Sequence, residues 1–289
     1  MPTRRDPLRP LPLSPGPVHG ETIGSYLHRL AVANNRPVSG LAQLLGPLPS
    51  EFSPLSNTTA GWTTQSPTRL AVLAGRPTAR LARALPALAD FLDPQHSKTR
   101  PEQVIGRPCH CCTARRSPSA SMVIILAPAH QHLCPRHRRW TRSTHDIPLT
   151  HLPEVLQAQH HLDRLARRHD HRIQHALDLA WKIIDEWSAG GMPLDLGREW
   201  TRRLDRIELH PVGTKIPFED RHRLASFPET AVLTDLILNP PTEVVDPKEL
   251  YLATTAELSR RFARIYTTRG RQDPLYQRFC RPHTAREAA

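Results

Sequence analysis

Residues Cys109–Arg116 read CHCCTARR, and residues Cys134–Trp140 read CPRHRRW. Together they hold four of the chain's five cysteines. Cys109 and Cys112 are separated by two residues, as are Cys134 and His137, and 21 residues lie between the two pairs. A two-residue gap puts two ligand atoms on one tight turn, so both reach the same ion. The longer loop folds back and supplies the other half. Cys109, Cys112, Cys134 and His137 therefore form a Cys3His set for one structural Zn2+. All four tetrahedral positions are filled by protein, which leaves none for water or substrate and argues against a catalytic metal. Cys111 is an alternative to Cys112 in this reading, and His130 and His132 are second-choice ligands. The later pair Cys280 and His283 repeats the spacing but has no partner pair, and reads as a stray match in the tail.

The charge balance points to a polyanionic partner. The 289 residues carry 39 Lys plus Arg against 27 Asp plus Glu, a net +12. Lysine occurs only at Lys98, Lys182, Lys215 and Lys248, so the positive charge is almost all arginine. Guanidinium groups make planar, two-pronged contacts to phosphate. An excess of this size suits nucleic acid. Around the cysteine pairs, Arg115, Arg116, Arg136, Arg138, Arg139 and Arg142 are candidate DNA contacts. Trp140 among them is expected to pack inward while the arginines face outward. The face formed by His160, Arg164, Arg167, Arg168 and His171 reads as the wet side of an amphipathic helix.

Other function classes lack their signatures. The sequence has no glycine-rich phosphate loop, no nucleophile elbow and no HExxH, so no catalytic residue is assigned and no small-molecule substrate is expected. The opening twenty residues are broken by proline and form no signal-peptide core. No run of eighteen apolar residues occurs, so no membrane span is expected. A cytoplasmic location follows, in which clustered cysteines serve as metal ligands and not as disulfides.

The rest of the chain reads as helices joined by stiff connections: prolines number 30 and glycines 13. The fold class is mainly α, with helix-turn-helix-like N-terminal helices, a small embedded zinc finger or ribbon, and a C-terminal helical bundle. Ile23, Tyr26, Leu27 and Leu30 fall on one face of a helix over 22–34. Glu21 stands near its start, where a negative charge meets the helix dipole. A second short helix covers 38–45, with Pro37 near its start and Gly46 as its C′ residue. Residues 47–62 read as loop. Leu81, Ala84, Leu85 and Leu88 form one helical run after Pro77, and 100–150 shows little helical period. Beyond Pro153, stripes predict helices through Leu165 and from Ile173 to Trp187, the second ending at Gly190–Gly191. Further helices are expected near 197–209, 229–238 and 247–266. The domain plan is a flexible proline-rich segment over 1–19, a domain over 20–150 with helices in 20–95 and the zinc module in 105–145, and a helical region over 151–289 with a frayed basic end.

The stretch PGPVHGETIGSYLHRLAVANN resembles the opening motif of the TniQ family. The matching residues are Gly20, Glu21, Ser25, Tyr26, Arg29, Leu30, Ala31, Ala33 and Asn34, and VSGLAQLLG resembles the helix that follows. The family then carries Cys-x2-Cys, a loop and Cys-x2-His, as Cys109, Cys112, Cys134 and His137 do here. Members often continue with a further Cys-x2-Cys, which this chain lacks. The resemblance implies a non-catalytic adaptor in DNA transposition or target-site recruitment. Its implied partners are DNA, a transposition ATPase or transposase, or a ribonucleoprotein. The competing reading is a stand-alone zinc-containing protein-interaction scaffold, or a DNA-binding regulator with no transposition role.

Overall fold

The computed structural model describes residues 8–47, 52–95, 102–114, 116, 123–143, 146–191, 194–208, 216–241, 246–262 and 270–280. The chain forms two compact units. The first takes 1–129 and 134–137, and the second takes 130–133 and 138–289. The chain therefore enters the second unit, returns to the first for the four residues Cys134–His137, and leaves again.

In the first unit, α1 spans Ile23–Ala33. The Thr22 hydroxyl caps it by accepting from the Ser25 N–H at 3.1 Å, which satisfies one of the donors that a helix start leaves open. Asn35 ends it in the left-handed region, at φ 49°, a conformation asparagine tolerates. The Arg36 N–H then reaches back to the Ala31 carbonyl at 2.9 Å. Helix α2 covers Val38–Gln43, α3 Ser66–Ala74, α4 Thr78–Ala82 and α5 Pro86–Leu92. Gly75 closes α3 with φ 56°. The single run expected after Pro77 is in fact α4 and α5. Pro86 has no N–H to continue α4 and instead opens α5 near its first position. Leu27, Leu30, Leu45, Leu70, Leu81, Leu85 and Leu88 meet in one core.

Helix α2 stops at Gln43 with Leu44 as its C-cap, so Gly46 lies two residues past the cap and not at C′, and its backbone is not in the left-handed region. A side chain there would stand 2.2 Å from the Gly61 carbonyl oxygen, so this glycine permits a close approach of two backbones.

The cysteine region holds short strands. β1 (Gln103–Gly106) and β2 (Ile125–Pro128) pair antiparallel, with Val104 opposite Ala127 and Ile105 opposite Leu126. Helix α6 is the single turn His110–Thr113. β3 (Leu133–Cys134) leads into the Cys134–His137 turn, and β4 (Arg139–Trp140) leads out. β4 pairs antiparallel with β5 (Ile147–Pro148).

The second unit is a helical bundle. It contains α7 (Pro153–His169), α8 (Arg172–Glu186), α9 (Leu194–Glu208), α10 (Phe218–Leu238), α11 (Pro247–Arg261) and α12 (Pro274–Cys280). Helix α10 packs on both α7 and α8, and it is longer than the sequence led us to expect. Pro228 lies inside it and reads locally as a helix breaker. Its buried face carries hydroxyls as well as leucines, which blurs the apolar period. Those hydroxyls are satisfied within the helix: Thr230 donates to the Ser226 carbonyl at 3.0 Å and Thr234 to the Thr230 carbonyl at 2.8 Å. After Glu186 the helical path continues through Trp187–Ala189 and breaks at Gly190, whose backbone is non-helical (φ 167°, ψ 6°), at the glycines where the sequence predicts the end. Helix α12 was not anticipated. The residues beyond Cys280, including His283 and the end expected to fray, lie outside the described residues.

Trp140 is buried and belongs to the core of the second unit. His132 stacks on it at 5.4 Å between ring centroids and meets Phe227 at 4.9 Å. This position explains why Trp140 is not offered for stacking on a base. Burial among these rings, with Arg142 nearby, pushes the His132 pKa well below its ordinary value.

Candidate metal centre and basic surface

Cys109 ends in a turn that puts Cys112 beside it. The Cys112 N–H donates to the Cys109 carbonyl at 2.9 Å and the Thr113 N–H to the same oxygen at 3.2 Å. The second pair sits on the Cys134–His137 turn, which Arg138 follows in the left-handed region at φ 50°.

The four side chains converge. Their ligand atoms all lie within 4.8 Å of one another. Cys112 Sγ is 3.7 Å from Cys134 Sγ. His137 Nδ1 is 3.6 Å from Cys109 Sγ, 3.2 Å from Cys112 Sγ and 3.6 Å from Cys134 Sγ. A tetrahedral zinc with Zn–S of about 2.3 Å and Zn–N of about 2.0–2.1 Å requires edges of about 3.8 Å between sulfurs and about 3.5 Å from sulfur to nitrogen. Three of these four distances lie within about 0.1 Å of those edges, and the fourth, Cys112 Sγ to His137 Nδ1 at 3.2 Å, is shorter. Burial and the neighbouring Cys134 thiol push Cys112 up to about 11. A thiol that resists ionisation beside other thiols gains a thiolate only when a cation shares the site. The donor set therefore suits a divalent metal ion.

The ligand alternatives are resolved by position. Cys111 is exposed and outside the cluster. His132 lies in the aromatic nest described above. His130 stands 3.9 Å from Asp163. The Cys280 side chain lies outside the described residues.

The motif residues ahead of the cluster form a second constellation. Gly20 has φ 78°, and a side chain there would stand 2.5 Å from the Leu126 carbonyl oxygen. That approach lets residues 20–22 run beside β2: the Leu126 N–H donates to the Gly20 carbonyl at 2.7 Å, and the Thr22 N–H to the Ile124 carbonyl at 3.0 Å. Glu21 is buried beneath. Its Oε1 accepts from Ser25 Oγ at 2.9 Å and Arg29 Nε at 2.8 Å. Its Oε2 accepts from the Val18 N–H at 2.9 Å and Arg29 NH2 at 2.7 Å. Glu21 was expected to act on the helix dipole, but its carboxylate is instead the centre of a filled hydrogen-bond set. Asn34 Nδ2 donates to the carbonyls of Leu30 at 2.8 Å and Leu13 at 2.7 Å. Glycine, glutamate, serine, arginine and asparagine thus tie the extended segment 13–18 and β2 to α1.

Residues 12–140 match the TniQ family model. Neither the curated proteins nor the solved structures contained a match to the chain. Within the TniQ domain, both quoted motifs have a physical role: one holds the helical core to its strand, and the other gathers the metal ligands.

The candidate DNA-contacting arginines differ among themselves. Arg116, Arg136 and Arg138 are exposed. Arg139 is half-buried, with Nε 3.2 Å from Asp146 Oδ2 and NH2 2.9 Å from the Asp146 carbonyl. Arg142 is also half-buried, and its Nε donates to the Gln131 carbonyl at 3.2 Å. Burial pushes the Arg142 pKa down. These two correct the expectation that all the arginines face outward: the peptide carbonyls and Asp146 around them draw the guanidinium groups in. Arg115 lies outside the described residues. The basic face of α7 is as expected, with His160, Arg164, Arg167, Arg168 and His171 all exposed.

Three arginines in the TniQ domain escaped the sequence reading: Arg76, Arg80 and Arg83. They line one cleft of about 940 Å³ with His19, Arg29 and Arg116. Their signal was present in GRPTARLAR, where the apolar stripe of Leu81 and Leu85 drew the reading toward core packing.

No helix among the described residues is long and apolar enough to cross a membrane.

Proposed function

We propose that the chain is a zinc-stabilised, DNA-binding adaptor of the TniQ type. It serves transposition or target-site recruitment in the cytoplasm and performs no chemistry of its own. The observation that carries this reading is the TniQ match over residues 12–140, whose motif residues fill the Glu21 hydrogen-bond set. Cys109, Cys112, Cys134 and His137 would hold one Zn2+, and the ion's contribution would be to the stability of the module. The net charge of +12 supplies the attraction to DNA. Arg116, Arg136 and Arg138 are the exposed members of the contact set. Arg139 and Arg142 support them from half-buried positions, and Arg115 completes the set. A transposition ATPase, a transposase or a ribonucleoprotein is the protein-side partner.

The test is binding of purified protein to labelled duplex DNA across a salt series. Affinity should fall steeply with salt, with a log–log slope of about −0.9 for each phosphate contacted. Absence of binding at low salt would remove the DNA-binding part of the reading.

A further inference from the structure

The cleft of about 940 Å³ in the TniQ domain runs along segment 13–17 and is lined by His19, Arg29, Arg76, Arg80, Arg83 and Arg116. Its charges are distributed unequally. Arg29 at the floor is neutralised by Glu21. Arg76 donates through NH2 to the Ser14 carbonyl at 3.0 Å. Arg116 donates through NH1 to the Pro17 carbonyl at 2.8 Å, and its own carbonyl accepts from Arg29 NH1 at 2.9 Å. These bonds fix guanidinium groups in place without cancelling their charge. Arg80 and Arg83 are exposed, and among the described residues their side chains make no ion pair or hydrogen bond. Among the described residues no aspartate or glutamate lines the cleft.

We propose that this cleft is the track along which the TniQ domain holds one sugar–phosphate strand of duplex DNA, with Arg76, Arg80, Arg83 and Arg116 contacting phosphates. The inference rests on the DNA-binding reading above and gives it a site distinct from the Cys134–Trp140 arginines. Four guanidiniums without a lining carboxylate form a field that attracts only anions. Among the described residues the lining has no Phe, Tyr or Trp on which a base could stack, and no Asn or Gln to pair with a base edge. Its contacts are therefore to the backbone and independent of sequence.

The test uses full-length protein, a labelled random-sequence duplex and a salt series. Replacing both exposed arginines, Arg80→Gln with Arg83→Gln, should weaken binding about tenfold or more at low salt and make the log–log slope shallower by about 2. Arg80→Lys with Arg83→Lys keeps the charges and should retain most of the affinity. Inorganic pyrophosphate should displace the duplex no more than sodium chloride of equal ionic strength does; displacement well beyond that control would mark a small-phosphate site and overturn the proposal. If the wild type binds DNA and the glutamine pair leaves both affinity and slope unchanged, the cleft is not the track, while the functional reading stands. A wild type that binds no duplex overturns both.

Discussion

Arg29 closes a two-pronged ion pair on Glu21, with Nε 2.8 Å from Oε1 and NH2 2.7 Å from Oε2. Both side chains are buried, and the same guanidinium holds the carbonyls of Gly16 and Arg116 at 2.9 Å each. Removing one partner strands a buried charge, which costs about 3–5 kcal/mol. Glu21→Gln should therefore destabilise the TniQ domain by that order, read from denaturant unfolding of the purified protein. An unfolding midpoint unchanged from wild type would contradict the central place given to this pair.

The metal cluster makes a paired prediction about adjacent cysteines. Cys112→Ser should abolish stoichiometric metal, and Cys111→Ser should retain it, because only Cys112 lies within the ligand set. Elemental analysis of the two purified variants reads this directly. Structural zinc binding is coupled to folding and contributes about 10–16 kcal/mol in small zinc peptides near neutral pH. A strong chelator should accordingly lower the thermal stability of the wild type and leave Cys112→Ser unaffected. Equal metal content in both variants would mean that the wrong cysteine has been assigned.

In the second unit, Arg203 NH1 stands 2.6 Å from Glu229 Oε2, which also accepts from Trp200 Nε1 at 3.0 Å. Burial pushes the Glu229 carboxyl up, and Arg203 and Trp200 act in the opposite direction. Arg203→Met or Glu229→Leu alone should cost about 3–5 kcal/mol. The double variant should be more stable than the sum of the two losses predicts, since neither member of the buried pair is left stranded, and Glu154 and Glu199, which also pair with Arg203, are part-exposed. Additive losses in denaturant unfolding would show that the two groups are not coupled.

Asp235 gives an acid-range prediction. Burial opposes its ionisation, but hydrogen bonds from His161, Arg261 and Asn239 outweigh burial and hold its carboxyl below the ordinary range. His161 Nε2 lies 3.0 Å away. The folded state therefore binds a proton less readily than the unfolded chain, whose aspartates titrate near about pH 4. The stabilisation is present above that pH and is lost as the pH falls through the lower folded value. Asp235→Asn should be less stable than wild type at neutral pH, and the gap should narrow in acid. A gap of constant size across the acid range would rule this account out.

Much of this fold could be read locally. The stripe of Ile23, Tyr26, Leu27 and Leu30 marks α1 because a helix repeats its face every 3.6 residues. The two-residue gaps of the cysteine motif mark the ligand turns for a similar reason: both features depend on neighbours in sequence. The failures have a common cause. Pro228 breaks a helix in local statistics, yet α10 runs through it with packing on two sides. Glu21 was read against its own helix, while its partner is eight residues along, on the same helix. Arg139 and Arg142 look like free surface charge until Asp146 and the Gln131 carbonyl are beside them.

The sequence by itself determined the helical class, the four candidate metal ligands with Cys111 as the alternative to Cys112, and the TniQ resemblance. Each of these depends on residue type and spacing along the chain. Tertiary structure alone decided that Cys112 and not Cys111 faces the ligand cluster, that Glu21 neutralises Arg29, and that Arg76, Arg80, Arg83 and Arg116 share one cleft with no carboxylate among its described lining. The physical reason is that charge acts through distance in space: Arg116 lies 99 positions from Pro17, yet its guanidinium is 2.8 Å from that carbonyl.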